Sequence, residues 1–323
     1  MTKATWTLIF GFAAFFVSCT SNQKEKKDEQ KLADSTINTH TPASHDTTSL
    51  IEKEFADTVT VKSAPDSVLL KFNFQNGKTY NYTMAIDAVI RKADQKRATL
   101  MKWNYDMLVV DETKNLKTIK TTYKRIDMAM DMGNDQKMEF SSEKKVDAMD
   151  FMQMPSKMFG IIKGKSFTMQ VNEKGEVVSI SGFDKIGEAV VTEMNLPEEM
   201  KPMIRQNFQK QFNDDAVKQM FSQSFNALPN KYVKVGDTWR TNGSLTALRQ
   251  DISTEYTVRS IKGSRVLLTG TSKLKSSEGQ NSGSQLSKLI IDAKTGVMLD
   301  GVFDQKSSDG QMTSTTRIKG RAL

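Results

Sequence analysis

The chain has 323 residues, a formal net charge of +8 and one cysteine. A single cysteine excludes an intramolecular disulfide, so any folded domain must be held together by packing. The only two histidines, His40 and His45, lie in a low-complexity segment, which leaves the rest of the chain without catalytic histidines or the common His and Cys zinc ligands. We therefore expect no metal and no cofactor.

The first 18 residues are predicted to be a signal peptide. Lys3 precedes an apolar run over residues 4–16, which is shorter than the roughly 20 residues of a membrane-spanning helix. The segment Phe16-Val17-Ser18-Cys19 resembles a bacterial lipobox with Phe16 in place of the usual leucine. That resemblance implies cleavage before Cys19 and its acylation, and so a lipid-anchored envelope protein, at the outer membrane on its periplasmic or surface side. The alternatives are an ordinary secretory signal with a chance cysteine, or an uncleaved anchor.

Residues 19–66 are predicted to form a disordered tether that follows the lipidated cysteine. They are rich in charged residues, Ser and Thr, and such a segment buries too little apolar surface to offset its ordering entropy. Lys27-Asp28-Glu29 resembles the surface-export signal of Bacteroidota lipoproteins, and a plain charged spacer is the alternative.

The charges are divided unevenly between the tether and the residues that follow it. Residues 20–66 carry 6 lysines and 9 acidic residues, whereas residues 67–323 carry 39 basic and 29 acidic residues. A basic domain is attracted to anionic lipid or polysaccharide. The chain has no Arg-rich aromatic cluster, so nucleic acid is not an expected partner.

Residues 67–146 alternate between apolar and polar side chains. Strict alternation predicts long antiparallel strands with one apolar and one polar face. Asn76-Gly77 predicts a hairpin turn, and a change of parity between Tyr123 and Ile126 predicts a bulge that bends the sheet. The strands predicted in this way cover residues 68–74, 80–90, 101–109 and 126–132.

Helical spacing replaces the alternation in residues 182–228. Phe183, Ile186 and Val190 predict a first helix, and Pro197 starts a second. Asp214 can cap a third helix. We expect this insert to pack on the apolar face of the sheet.

Methionine is concentrated in the middle of the chain. Thirteen of the nineteen methionines lie between Met128 and Met220. Flexible thioether side chains adapt to varied apolar partners, which favours a pocket for a lipid-like ligand, and a core filled by methionine is the alternative. The candidate ligand-binding residues are Met128, Met130, Met132, Met200, Met203, Phe208, Phe212, Met220 and Phe221.

Two later stretches resemble two earlier ones. Gly236-Asp237-Thr238-Trp239 echoes Gly77-Lys78-Thr79-Tyr80, and residues 292–297 echo residues 172–177 as a second strand-turn-strand unit. Two echoes in the same order predict two related half-sheets.

One set of motifs invites comparison with an enzyme. Ser141-Ser142-Glu143-Lys144, Ser224-Phe225-Asn226 and Lys294-Thr295-Gly296 occur in the order that penicillin-binding proteins and serine β-lactamases use. Those enzymes need the serine and the lysine on one face of a helix. Residues 138–146 instead alternate like a strand, in which a serine and a lysine three residues apart point to opposite faces. We therefore predict that the protein is not an enzyme.

A family resemblance rests on several of these features together. The lipobox, the tether, the strand Leu69–Phe74 with Gly77-Lys78-Thr79-Tyr80, and the stretch Val235–Trp239 resemble Bacteroidota lipoproteins known only as a domain of unknown function. The predicted architecture is similar to the half-barrel lipoprotein and lipid carriers of bacterial envelopes.

The predicted fold is a single β-rich α+β domain over residues 67–323. Long, curved antiparallel meander sheets, half-barrel-like, pack on the short helical insert 182–228. The predicted function is non-catalytic binding of an apolar or amphipathic, lipid-like ligand by a protein held on the membrane through its N-terminal lipid. The alternative is a structural or interaction subunit of an outer-membrane or surface complex, with an envelope protein as partner.

Overall fold

A computed structural model describes most of the chain beyond the predicted tether. Its helices are α1 (Met154–Ile162), α2 (Phe183–Glu193) and α3 (Lys201–Gln211), with a 3-10 turn at Phe151–Gln153. No helix in this part of the chain is both long and apolar enough to cross a membrane. The residues described are 51, 55, 67–92, 95–113, 115–131, 136–146, 150–211, 214, 217–218, 221, 225, 227–245, 250–276 and 281–323.

Fourteen strands are described: five precede α1, two lie between α1 and α2, and seven follow α3. The first seven are β1 (Val68–Leu70), β2 (Thr79–Lys92), β3 (Gln95–Thr113), β4 (Leu116–Asp131), β5 (Lys137–Ser141), β6 (Ser166–Asn172) and β7 (Val177–Ser181). The others are β8 (Lys231–Val233), β9 (Thr238–Leu245), β10 (Gln250–Lys262), β11 (Arg265–Ser276), β12 (Asn281–Asp292), β13 (Val297–Ser307) and β14 (Met312–Ala322).

The strands form where apolar residues alternate, as predicted. In β6 the alternate side chains Phe167, Met169 and Val171 are at most 2% exposed, and the residues between them are half-buried. The predicted bulge is also confirmed, because the β3–β4 register shifts where Tyr123 and Arg125 flank the unpaired Lys124. The strand predicted over residues 68–74 ends at Leu70.

Twelve of the strands form one antiparallel sheet, which confirms the predicted fold class. Their order is β7-β6-β4-β3-β2-β14-β13-β12-β11-β10-β9, and β5 pairs with the free end of β4. The sheet is open rather than closed. The two predicted sheet regions merge into one because β14 pairs with β2 along its whole length, from Met312 opposite Ile90 to Ala322 opposite Tyr80. β1 and β8 form a separate two-stranded sheet.

The two halves of the large sheet have matching turns. The Gly77 N–H donates to the Val109 carbonyl, and the Val109 N–H donates to the Lys78 carbonyl. In the second half Gly236, Val258 and Asp237 make the same two bonds. A bulge follows each valine, at Val110 and at Arg259.

The matching continues at the far hairpins. The β6–β7 pair has an extra residue at Val178, and the β12–β13 pair has one at Leu299. The order β7-β6-β4-β3-β2 therefore corresponds to β13-β12-β11-β10-β9, in agreement with the two echoes seen in the sequence. We refer to these halves as the first meander and the second meander.

The helices cover part of one face of the sheet. Ser156 on α1 accepts a hydrogen bond from the Ser141 N–H of β5 at 3.1 Å. Residues of the predicted third helix, Val217, Phe221 and Phe225, are helical and at most 2% exposed. Helices and sheet share one large core, as expected for a one-sided sheet.

Two residues of the predicted tether contact the opposite face. Ile51 and Phe55 are helical, and Ile51 is 4% exposed because it packs on Leu267 and Ile290 of the second meander. Ordered packing therefore begins before residue 67 at these two positions. A short apolar pair provides enough burial here because the sheet offers it an apolar patch.

Candidate functional site: the inner face of the sheet

The inner face is the face of the sheet that meets the helices and the large core. Its side chains line up across strands because antiparallel register places residues directly opposite one another. One such row contains Met101 on β3, Met128 on β4 and Phe140 on β5. The next row contains Thr99, Met130 and Met138 on the same three strands.

These rows contain a methionine cluster. Met101, Met128 and Met130 are 6%, 2% and 6% exposed, and Met138 packs against them from the edge of the core. Met84 lies on the neighbouring strand β2 and is 6% exposed. Five flexible side chains thus share one end of the first meander.

The row that contains Met130 becomes polar in β14 and the second meander. Ala88 on β2 lies between Thr99 and Ser314, and Ser314 on β14 is followed by glutamines of β13 and β12. We call this set of cross-strand neighbours the inner-face row. Its members, from the second meander to the first, are Thr254, Ser272, Gln285, Gln305, Ser314, Ala88, Thr99, Met130 and Met138.

The hydroxyls of this region are buried. Thr254, Ser272, Ser314 and Thr99 are at most 6% exposed, and the Thr254 and Ser272 hydroxyls share a hydrogen bond of 2.8 Å. Burial also raises the pKa of the neighbouring Tyr256 to about 12. The second meander therefore presents polar groups where a core strand would present apolar ones.

One hydroxyl next to the inner-face row has no partner. Ser287 is 3% exposed, and its Oγ makes no hydrogen bond with any described group. It lies opposite Gly270, where a Cβ atom would collide with Ser287 Oγ. Leaving such a group unpaired costs about 1–3 kcal/mol.

The predicted ligand-binding residues occupy two places. Met128 and Met130 lie in the methionine cluster, whereas Phe208 and Phe221 belong to the helical cover. The Phe221 ring lies 5.5 Å from the rings of Tyr105 and Phe167. All four are buried in the same core, so their role in binding stays a prediction.

The remaining predicted site residues are less buried or lie elsewhere. Met200 packs against the edge of the core, and Met203 on α3 is 39% exposed. Met132, Phe212, Met220 and the predicted lipidation site Cys19 lie outside the described residues.

The polar residues of the inner-face row were not predicted from the sequence. A signal was present in β11, where Gly270 and Ser272 occupy the apolar parity between Leu268 and Leu274. Similar small and polar residues interrupt the alternation at Ser287 and Ser314. These positions were not assigned to the inner face from the sequence.

The serines of the enzyme-like motif have structural bonds. Ser141 ends strand β5, so the strand predicted over residues 138–146 stops there, and Ser141 Oγ donates to Asp127 Oδ1 at 2.6 Å. Ser142 Oγ accepts the Ile126 N–H at 3.0 Å. Ser141 borders an outer-face groove of about 530 Å³ whose lining includes Arg125, which itself binds Asp127 at 2.7 Å. Among the described residues, no group of three or more His, Cys, Asp or Glu side chains could hold a metal.

A family model matches more than half of the chain. The model is described as a family of unknown function, DUF6263, and it matches residues 114–298. The chain belongs to the DUF6263 family. The match begins just before β4 and ends in β13, so the DUF6263 region contains Met128, Met130, Ser272 and Ser287. Membership of a family of unknown function was expected from the resemblance, whereas the expected Bacteroidota lineage stays a prediction.

Two solved structures resemble this chain at low sequence identity. No curated protein matches the sequence. A lipovitellin chain, solved in work on lipid–protein interactions in lipovitellin, has 11% identity and a TM-score of 0.43, over 78% of this chain and 25% of that chain. A β-barrel-like protein of the DUF1849 domain from Brucella abortus has 8% identity and a TM-score of 0.23, over 77% and 99%. This chain thus spans a quarter of the lipovitellin chain, and neither likeness says what it binds.

Proposed function

We propose that the protein binds an apolar or amphipathic, lipid-like ligand on the inner face of its open sheet, without catalysis. The observation that supports this most directly is the inner-face row, which changes from hydroxyl and amide side chains to methionines along a single line of neighbours. A ligand with a polar group and an apolar chain matches that change.

A purely structural inner face would be apolar throughout. Polar groups transferred into a core lower its stability unless they are hydrogen-bonded, and one-sided antiparallel sheets normally place them on the outer face. Thr99, Ser314 and Ser287 are buried instead. A ligand headgroup would give Ser287 Oγ the hydrogen bond that it lacks.

The methionine cluster suits the apolar part of such a ligand. Methionine fills irregular spaces and adapts to chains of different shape at little cost in strain. Met101, Met128 and Met130 lie side by side in register, next to Thr99. A binding surface of this kind selects for apolar character rather than for one exact molecule.

The proposed ligand binding does not require a catalytic serine. Ser141 and Ser142, the serines of the enzyme-like motif, are engaged by Asp127 and the Ile126 N–H. A nucleophilic serine needs a neighbouring base that takes its proton. The carboxylate of Asp127 instead also holds Arg125, which favours a structural role.

The proposal includes anchorage in the cell envelope through lipid on Cys19. Two or three acyl chains hold a protein on a membrane essentially permanently. Replacing Cys19 with alanine should move the protein from the membrane fraction to the soluble or unprocessed fraction. Continued membrane retention of a processed C19A protein would contradict lipid anchorage.

Ligand binding can be tested without the lipid anchor. A chain that begins at Thr20 keeps every described contact, because all of them lie between Ile51 and Leu323. We expect native mass spectrometry of this chain, purified without detergent from a bacterial host, to show a bound amphipathic molecule that organic solvent extracts. Absence of such a molecule, together with failure to bind a fluorescent fatty acid, would favour the alternative of an interaction subunit.

A variant pair tests the site itself. Thr99→Val with Ser314→Ala removes two inner-face hydroxyls with little change in volume, and should lower ligand occupancy about tenfold through the loss of two hydrogen bonds. Thr313→Val is the matched control, since Thr313 neighbours Ser314 but belongs to the opposite face. Equal occupancy in all three proteins would place the ligand elsewhere.

A further inference from the structure

The outer face of the second meander and of the adjoining strand β14 carries an excess of positive charge. Seven exposed basic side chains project from four consecutive strands, β11 to β14. We call this set the basic surface. Its members are Lys273, Lys275, Lys288, Lys306, Arg317, Lys319 and Arg321.

Strand register brings these cations together. Lys273 and Lys306 each lie opposite Ser284, from the two sides of β12. Lys288 and Arg317 each lie opposite Val302 in the same way. Because neighbouring strands are about 4.8 Å apart, each such pair is separated by only about 10 Å.

The acidic groups on this face neutralise the basic surface only in part. Asp304 is exposed and accepts a hydrogen bond from Thr315 at 2.7 Å, and Glu255 pairs with Arg240 at 3.0 Å. Asp251 lies opposite Lys275, and the buried Asp300 interacts electrostatically with Lys319 and Arg317. None of the ion pairs found among the described residues includes a member of the basic surface.

The outer face of the first meander is different. There Lys124 lies 3.6 Å from Asp106, and Arg125 lies 2.7 Å from Asp127. These two cations are thus paired with carboxylates, whereas Lys102 and Lys120 on the same face are exposed and belong to none of the ion pairs among the described residues. The two halves therefore differ in how many of their outer-face cations have an acidic partner.

The N-terminal side of the chain also reaches the domain at this face. Ile51 packs on Leu267 and Ile290, and Lys288 Nζ lies 5.6 Å from the centre of the Phe55 ring. Residues 20–66, which lead from Cys19 to the domain, contain 6 lysines and 9 acidic residues, a net charge of −3. That charge is smaller than the seven positive charges of the basic surface.

We infer that the basic surface is a docking surface for an anionic lipid bilayer, the membrane to which the proposed lipid on Cys19 would attach the chain. Each Lys or Arg close to such a surface strengthens partitioning about fivefold. Ile51 and Phe55 contact this same face of the sheet. The basic surface and the start of the N-terminal segment can therefore face the same membrane. This inference rests on the proposed lipid anchorage but goes beyond the proposed ligand binding, since it concerns the opposite face and needs no inner-face ligand.

The test uses the chain that begins at Thr20 and vesicles of defined composition. We expect the chain to sediment with phosphatidylcholine vesicles that contain phosphatidylglycerol, and not with pure phosphatidylcholine vesicles. Added salt should weaken the binding, because exposed charges are screened. Equal binding to both kinds of vesicle, or to neither, would overturn the inference.

A variant pair locates the contact. Lys273→Gln with Lys306→Gln should lower the partition coefficient roughly 25-fold. Lys120→Gln with Lys124→Gln, on the outer face of β4, removes the same charge and should leave binding nearly unchanged. Thermal melts first establish that both double variants are folded. An equal fall in the partition coefficient of both would mean that binding depends on net charge alone, and would overturn the assignment to the basic surface.

A further outcome separates lipid from polysaccharide. Binding to dextran sulfate with no binding to anionic vesicles would identify an acidic polysaccharide as the partner and overturn the lipid assignment. Neither failure to bind anionic vesicles nor binding to dextran sulfate alone would contradict the proposed ligand binding. Ligand extraction and the Thr99 and Ser314 variants test that binding separately, on the inner face.

Discussion

Gly187 on α2 lies against the ring of Phe208 on α3, so closely that a Cβ atom on Gly187 would be 2.7 Å from Phe208 Cδ1. Phe208 is 3% exposed and stacks on Phe183 with a centroid distance of 6.1 Å. We expect Gly187→Ala to lower the free energy of unfolding by about 1–3 kcal/mol, because the ring must leave its packed position. Urea unfolding measures this difference.

A second helical glycine provides the control. Gly160 on α1 is exposed, and its nearest neighbour to an added Cβ is the Ser142 carbonyl at 3.8 Å. Gly160→Ala should therefore raise stability by about 0.5–1 kcal/mol through better helix propensity. A similar gain for Gly187→Ala would contradict the close helix contact.

The β12–β13 turn docks on the chain between β1 and β2. Gly296 has φ of 76°, a Cβ atom there would collide with the Lys71 carbonyl, and the Asn73 N–H donates to the Thr295 carbonyl at 2.9 Å. Gly77 has a similar φ of 73° with open space around it.

Alanine at these two glycines separates backbone strain from crowding. Gly77→Ala should cost about 1–2 kcal/mol for the left-handed conformation alone. Gly296→Ala should cost about 1–3 kcal/mol more, because the turn must also move off Lys71. Equal losses in chemical denaturation would mean that the turn does not press on this segment.

Asp300 makes stability depend on pH. Burial raises the pKa of its carboxyl. Lys319 and the nearby N–H groups of Ile51 and Gly301 act to lower this pKa, but they offset the effect of burial only in part. Neither oxygen has a hydrogen bond of good geometry to a described group. Because its pKa is raised, the folded state holds the Asp300 proton more tightly than the unfolded chain does. This proton contributes its full stabilisation below the ordinary aspartate pKa, and the contribution is lost as pH rises through the raised pKa.

We therefore expect Asp300→Asn to melt at a higher temperature than the unmodified chain at neutral pH, with the gap closing in acid. Asp251→Asn, on an exposed aspartate of β10, should change the melt little at either pH. A less stable Asp300→Asn at neutral pH would mean that Ile51 and Gly301 hold the carboxylate firmly.

Buried tyrosines make the fold sensitive to alkali. Burial raises the pKa of Tyr82, Tyr105 and Tyr123 above the ordinary value of 10, and raises that of Tyr256 to about 12. Their contribution to stability is complete below pH 10 and is lost as pH rises further, because only the unfolded chain ionises them easily. Absorbance titration of phenolate should show these four ionising together with unfolding. Titration of all six tyrosines near pH 10 in the folded protein would be inconsistent with this burial.

Part of the candidate site could be predicted and part could not. Met128 and Met130 were predicted from local methionine density, and both lie on the inner face. Met203 was predicted in the same way but is 39% exposed, since composition does not say which side of a helix meets the core. Ser272 and Ser314 were missed because a buried hydroxyl looks the same in sequence as an exposed one.

The N-terminal boundary shows a similar limit. The segment around Ile51 and Phe55 has too few apolar residues to fold by itself, which is what its composition reports. Its packing depends on Leu267 and Ile290, which are distant in the chain. A partner of that kind cannot be read from the segment itself.

The sequence by itself determined the antiparallel strands, the bulge near Lys124 and the helical insert, because alternation, parity and helical spacing are local properties of neighbouring residues. Only the tertiary structure decided that β14 pairs with β2, and so joins the two meanders into one sheet. That pairing places Ser314 beside Ala88, with Thr99 beyond it, and creates the inner-face row. Register between the two ends of a chain depends on how the whole sheet assembles, which no local pattern records.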